Sequence, residues 1–314
     1  MYIEQGYKGD IGLWKFFVIP IGFIAFMAFN YYLTINSPIN VEDAMAQMID
    51  KLGPNLVLII LLAPLAAGLF VVLGWTFLVH RQSITSLTTS RKKIDWKRVL
   101  FAFGLWGGIT AIFTLVDVYT SPDDYVLNFD LSKFLVLAVI AILLIPLQTS
   151  FEEYLFRAHM MQGIGLLAKN RWAPLVVTSV LFGLMHIANP EVEKLGYGIM
   201  VYYIGTGFFL GILTLMDEGL ELALGFHAAN NLITALLVTA DWTAFQTDSV
   251  YKDVSMPALG YDVLIPVFVV FPILLFIFSK KYKWTDWNNR LFGKVIEKEE
   301  FIALENGNPS EVQA

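Results

Sequence analysis

Apolar stretches close to twenty residues long recur along this 314-residue chain. About twenty such residues carry a helix across the ~30 Å hydrocarbon core of a bilayer, where the backbone must satisfy its own hydrogen bonds. The pattern places spans at 13–34, 55–79, 98–119, 132–150, 172–188, 196–216, 219–239 and 261–279. The expected fold is therefore all-α, a polytopic membrane helical bundle of about eight transmembrane helices. Composition agrees, since only 15% of residues are charged against about 25% in a soluble domain. The first span is too long for a cleavable signal and no A-x-A site follows it, so it is expected to stay as an anchor.

Charge and cysteine content exclude several classes. The net charge is −6, with no basic stripe outside one loop, which argues against nucleic acid as a partner. The chain has no cysteine, so disulfides, thiolate metal sites and a cysteine nucleophile are excluded. The one basic loop holds Arg81, Arg91, Lys92, Lys93, Lys97 and Arg98 against Asp95. The positive-inside rule makes it cytoplasmic, and Lys280, Lys281, Lys283 and Arg290 put the C-terminus on the same side. Both termini are thus expected in the cytoplasm, of a bacterial membrane given the absence of targeting signals. The Asp217-Glu218 turn carries no base and lends this topology no support.

Residues 1–130 read as an N-terminal transmembrane scaffold with the basic loop. Residues 131–240 hold the polar groups at membrane depth that read as functional. The final span and an interfacial segment with Trp284 and Trp287 occupy 241–296, and 297–314 is expected to be a disordered tail. Gly207 and Gly211 form a small-xxx-small pattern, read as close helix packing.

Ionisable groups at membrane depth are costly and mark chemistry or a pathway. Glu152 and Glu153 point about 100° apart on a helix, so they cannot do one job. Arg157 lies four residues after Glu153, the favourable spacing for a helical ion pair. Glu152 is left without a local counter-charge, which suits a general base. Phe182 and His186 share a face, as do His227 and Asn231. His80, at a span end beside the basic loop, reads as solvated, and His159 as supporting at most. If the arms around Asn170 are helical, Glu152 and His186 lie at matching heights. His227 then comes out roughly 10 Å shallower, at 1.5 Å per residue. Either the 169–171 tip projects beyond the membrane, or Gly219–Gly225 enters deeply.

Glu152-Glu153-x-x-x-Arg157, Phe182-x-x-x-His186 and His227-x-x-x-Asn231, in this order, resemble the CAAX-protease and bacteriocin-processing family of intramembrane endopeptidases, which includes the Rce1-type prenyl-protein proteases. The resemblance covers about residues 131–240 and implies a CAAX-protease-like catalytic core. It implies that Glu152 and His186 activate a water against a peptide bond, that His227 and Asn231 stabilise the oxyanion, and that Glu153, Arg157 and Phe182 support them. The substrate would be a membrane-associated peptide or protein, lipid-modified in the CAAX case. Glutamyl and metallo-endopeptidase chemistry both stay open. No cofactor is favoured; the alternative is one divalent ion such as zinc on Glu152, His186 and His227. Competing readings are a proton-coupled transporter, and a non-catalytic scaffold or immunity protein in which the three motifs only pack.

Overall fold

The computed structural model describes residues 1–10 and 12–307. The N-terminal part comprises α1 (Lys15–Ile35), α2 (Val41–Leu52), α3 (Pro54–Leu78), α4 (Ile84–Thr88) and α5 (Trp96–Thr120). Next, α6 (Leu131–Glu153) continues through a π-helical turn, Tyr154–Met160, into α7 (Met161–Ala168). The chain then forms α8 (Trp172–Leu184), α9 (Pro190–Leu195), α10 (Met200–Asp217) and α11 (Glu221–Leu237). It closes with α12 (Tyr261–Ile265), α13 (Phe271–Tyr282), α14 (Trp287–Phe292) and α15 (Lys298–Glu305). Local chemistry sets several of these boundaries. The Asn40, Asp95 and Asp130 side chains accept backbone N–H bonds at the starts of α2, α5 and α6. Lys169 and Glu218 end α7 and α10 in the left-handed region.

Among the described residues, six helices are long and apolar enough to cross a membrane: Lys15–Ile35, Pro54–Leu78, Trp96–Thr120, Leu131–Ala168, Tyr197–Asp217 and Val263–Tyr282. The protein is an integral membrane, all-α polytopic bundle. The other two stretches expected to span, 172–188 and 219–239, form α8 and α11 of only 13 and 17 residues. Their neighbours explain why they can be short. Helix α8 lies on α10, and α11 lies between α5 and α6, so protein rather than lipid surrounds much of each. Two glycines permit that closeness. A Cβ on Gly207 would sit 2.4 Å from the Ser179 carbonyl oxygen, and one on Gly225 2.1 Å from that of Val99. The small-xxx-small pattern at Gly207 and Gly211 is thus a packing device, with α8 filling the notch.

The two ends of the bundle differ. At one end a small sheet forms from β1 (Tyr125–Leu127), β2 (Val238–Thr239) and β3 (Tyr251–Asp253), in the order β1-β3-β2. At the other end the acidic turn after α10 meets the basic loop. Arg91 reaches the Asp217 carboxylate at 2.9 Å and Glu221 at 3.1 Å, and Arg98 also pairs with Asp217. Trp284 Nε1 donates to Asp217 at 3.1 Å, while Arg290 and the N-terminal ammonium each lie 3.5 Å from Glu218. The N-terminus, the basic loop and the C-terminal segment therefore share one end. The missing base at the Asp217-Glu218 turn arrives from other loops.

Two local expectations are corrected. His80 is buried, not solvated, because Phe16 and His159 cover its ring at centroid distances of 4.2 and 5.1 Å. Within the stretch expected to be a disordered tail, Lys298–Glu305 is helical, held by buried Phe301 against Tyr7 at 6.1 Å. Residues 308–314 of that stretch lie outside the described residues.

Candidate active site

Glu152 and Glu153 end α6, where the helix widens into its π-helical turn. Such turns shift the register of following side chains and recur at functional sites. Here the turn keeps Arg157 fully buried and within reach of Glu153. Arg157 Nη1 donates to Glu153 Oε1 at 3.1 Å, and Nη2 donates to the Gly207 carbonyl at 3.2 Å. Its guanidinium lies 4.0 Å over the Phe182 ring, a cation–π contact. Gly207 thus serves twice, admitting α8 and exposing a carbonyl to Arg157.

His227 stands between the two carboxylates. Its Nδ1 lies 2.8 Å from Glu153 Oε1 and its Nε2 3.5 Å from Glu152 Oε2. Because a carboxylate accepts, the Nδ1–H is donated to Glu153 and the ring orientation is set. Glu153 therefore holds Arg157 and His227 together. Asn231, one turn further along α11, donates through Nδ2 to Gln148 Oε1 at 3.4 Å. Gln148 is buried and stands one turn before Glu152 on α6.

His186 follows α8 and is placed differently. Its Nδ1 lies 2.9 Å from the Phe182 carbonyl oxygen, which can only accept, so Nδ1 carries the proton and Nε2 is left as an acceptor. The ring stacks on Tyr203 at 4.4 Å. Phe182 stands between the two imidazoles, 5.0 Å from His186 and 5.7 Å from His227 by ring centroids. Among the described residues no hydrogen bond joins His186 to Glu152. The motifs thus assemble into one cluster, with Glu152, Glu153, His227 and Asn231 tightly grouped and His186 across the Phe182 ring.

The long helix Leu131–Ala168 covers 38 residues, about 57 Å at 1.5 Å per residue and nearly twice the hydrocarbon thickness. The Tyr154 hydroxyl lies 2.8 Å from Thr88 Oγ1, and the Leu220 N–H donates to the Thr88 carbonyl at 2.8 Å. Further along the same helix, Gln162 bonds to Gln82, Ser86 and Leu87. Glu152 therefore meets His227 near the basic-loop end of the bundle.

Residues 131–233 match the family described as type II CAAX prenyl endopeptidase Rce1-like. The chain is also 28% identical over 239 residues to the protein named "Uncharacterized protein YyaK" of Bacillus subtilis (strain 168), covering 74% of this chain and 80% of that one. No solved structure matches.

The Rce1-like segment contains residues that the motif reading missed. Gln148 precedes Glu152 by one turn, and Asn230 follows His227 by three residues, so helical spacing alone could have found both. Trp106, which donates from Nε1 to Asn230 Oδ1 at 3.1 Å, lies on α5 outside the segment and left no local signal. Among the described residues no group of three or more His, Asp or Glu side chains is arranged to hold an ion. His227 and His186 each give Nδ1–H to an oxygen, which leaves Nε2 as the ring atom of each that faces a ligand.

Proposed function

We propose that this protein is an intramembrane endopeptidase that hydrolyses a peptide bond of a membrane-associated protein or peptide by a glutamate-activated water. The observation that carries the reading is the placement of His227 between Glu152 and Glu153, with Glu153, Arg157 and His227 buried and Asn231 one turn further along α11. Glu152 takes a proton from water, and the hydroxyl attacks the scissile carbonyl. His186, whose Nε2 accepts, orients that water. The proton between His227 Nε2 and Glu152 Oε2 can sit on either partner. On His227 it is donated to the tetrahedral oxyanion together with an Asn231 N–H, and on Glu152 it passes to the leaving amine.

The basic-loop end is read as cytoplasmic, in a bacterial membrane, so the substrate approaches from that leaflet. A lipidated CAAX-type protein and an unmodified membrane peptide both suit such a site. Quenched peptides with and without a C-terminal prenyl group, given to the reconstituted protein, separate the two. Glu152→Ala and His227→Ala are expected to lower turnover by on the order of 10³. Cleavage equal to wild type in both variants removes the hydrolase reading. The reaction is read as metal-independent because, among the described residues, no three His, Asp or Glu side chains converge on one point, so a strong chelator is expected to leave the rate unchanged. Loss of activity on chelation, restored by zinc, contradicts that expectation.

A further inference from the structure

An indole and three amides lie end to end between α5 and Glu152. Trp106 Nε1 donates to Asn230 Oδ1 at 3.1 Å, Asn230 Nδ2 donates to Asn231 Oδ1 at 3.1 Å, and Asn231 Nδ2 donates to Gln148 Oε1 at 3.4 Å. The Gln148 amide in turn stands beside the Glu152 carboxylate. A side-chain amide alone can turn end for end, because its oxygen and nitrogen have nearly the same shape and opposite bonding. An indole has no such freedom, since Nε1 carries a hydrogen and offers no lone pair. Trp106 therefore demands the oxygen of Asn230. The Asn230 nitrogen then faces Asn231 and demands its oxygen, and the Asn231 nitrogen faces Gln148.

We propose that Trp106, Asn230 and Gln148 are positioning residues, a one-way hydrogen-bond chain that fixes which end of the Asn231 amide faces the site. One lone pair of the Asn231 oxygen takes the Asn230 N–H, and one of its two N–H bonds goes to Gln148. The second N–H remains for a ligand beside Glu152. Asn231 thus presents an N–H donor, which bonds to an oxygen bearing negative charge. The catalytic consequence rests on the hydrolase reading, whereas the bonding order does not.

The test needs two readouts. The full-length protein in detergent, deuterated and carrying ¹⁵N in its Asn and Gln side chains, gives NH₂ resonances assigned through Asn231→Asp and Gln148→Glu. Trp106→Phe removes the donor and keeps an aromatic ring against Phe226, which lies 4.7 Å from the indole. The resonances of Asn230, Asn231 and Gln148 are all expected to move, although only Asn230 touches the indole nitrogen. A shift confined to Asn230 overturns the proposal. Should Trp106→Phe not fold, Asn230→Ala breaks the next link and carries the same expectation at Gln148.

In steady-state cleavage, Trp106→Phe and Gln148→Met are expected to lower kcat about tenfold with KM within about twofold. Parallel loss in kcat and KM with a lower melting temperature means that these residues only pack, and overturns the positioning role. If wild type and Glu152→Ala cleave alike, the hydrolase reading falls and the resonances alone decide the chain.

Discussion

At the residue scale, the two adjacent glutamates have different partners. Glu153 is wholly buried and binds Arg157 and His227 at once. Removing one partner of a buried ion pair costs about 3–5 kcal/mol, because the other charge is left unpaired. Glu153→Ala is therefore expected to lower the melting temperature sharply. Glu152→Gln is expected to melt like wild type and to lack only turnover. Equal melting curves for the two variants contradict this division. The pairing of Glu153 with Arg157 was legible in the sequence, because helical geometry splits neighbours by about 100° and places Arg157 under Glu153. The bond from Glu153 to His227 was not, since it joins positions 74 apart. His80 failed for a similar reason, as a distant residue, Phe16, covers it.

At the element scale, the site depends on how closely α11 approaches α5. Gly225 stands against the Val99 carbonyl, two residues before His227. Gly225→Ala is expected to wedge α11 away from α5, and a displacement of about 1 Å at a reacting group can cost on the order of 10² in rate. Gly104→Ala, on α5 where a Cβ meets nothing within 4 Å, is the matched control and is expected to keep wild-type turnover. A second element, the 3₁₀ segment Ile3–Lys8, docks through buried Glu4, whose carboxylate accepts from Arg171 at 2.6 Å. Burial pushes the Glu4 carboxyl above its ordinary range, and the Arg171 charge only partly offsets it. The docked state then binds more protons than the undocked one between the ordinary value and the raised one. Docking is strongest below the ordinary carboxylate value and weakens as pH rises through the raised value. Hydrogen exchange of residues 2–8, corrected for intrinsic rates, is expected to show that slope, and Glu4→Gln to flatten it. Helix positions were largely legible from apolar runs, but the lengths of α8 and α11 were not. A run of apolar residues cannot distinguish a helix facing lipid from one enclosed by neighbours.

At the scale of the whole molecule, one ionic knot gathers distant segments at one end of the bundle. Asp217, Glu218 and Glu221 hold Arg91 and Arg98 of the basic loop, Arg290 of the C-terminal segment and the N-terminal ammonium. These segments are expected on one side of the membrane, and β1, β2 and β3 on the other. The absence of cysteine makes the arrangement directly measurable, because each introduced thiol is the only one in the chain. Lys8→Cys, Lys92→Cys and Glu299→Cys are expected to react with a membrane-impermeant maleimide in inside-out vesicles and to be protected in right-side-out ones. Asp123→Cys, in the loop before β1, is expected to show the opposite pattern. A split among the first three thiols contradicts the knot itself. A common inversion of all four keeps the knot but moves the Glu152 end of the bundle to the outer face, and with it the leaflet from which a substrate must come. Sidedness of labelling and sidedness of peptide cleavage should then reverse together, because the 154–170 arm ties the site to the segment before the basic cluster through Tyr154 and Thr88.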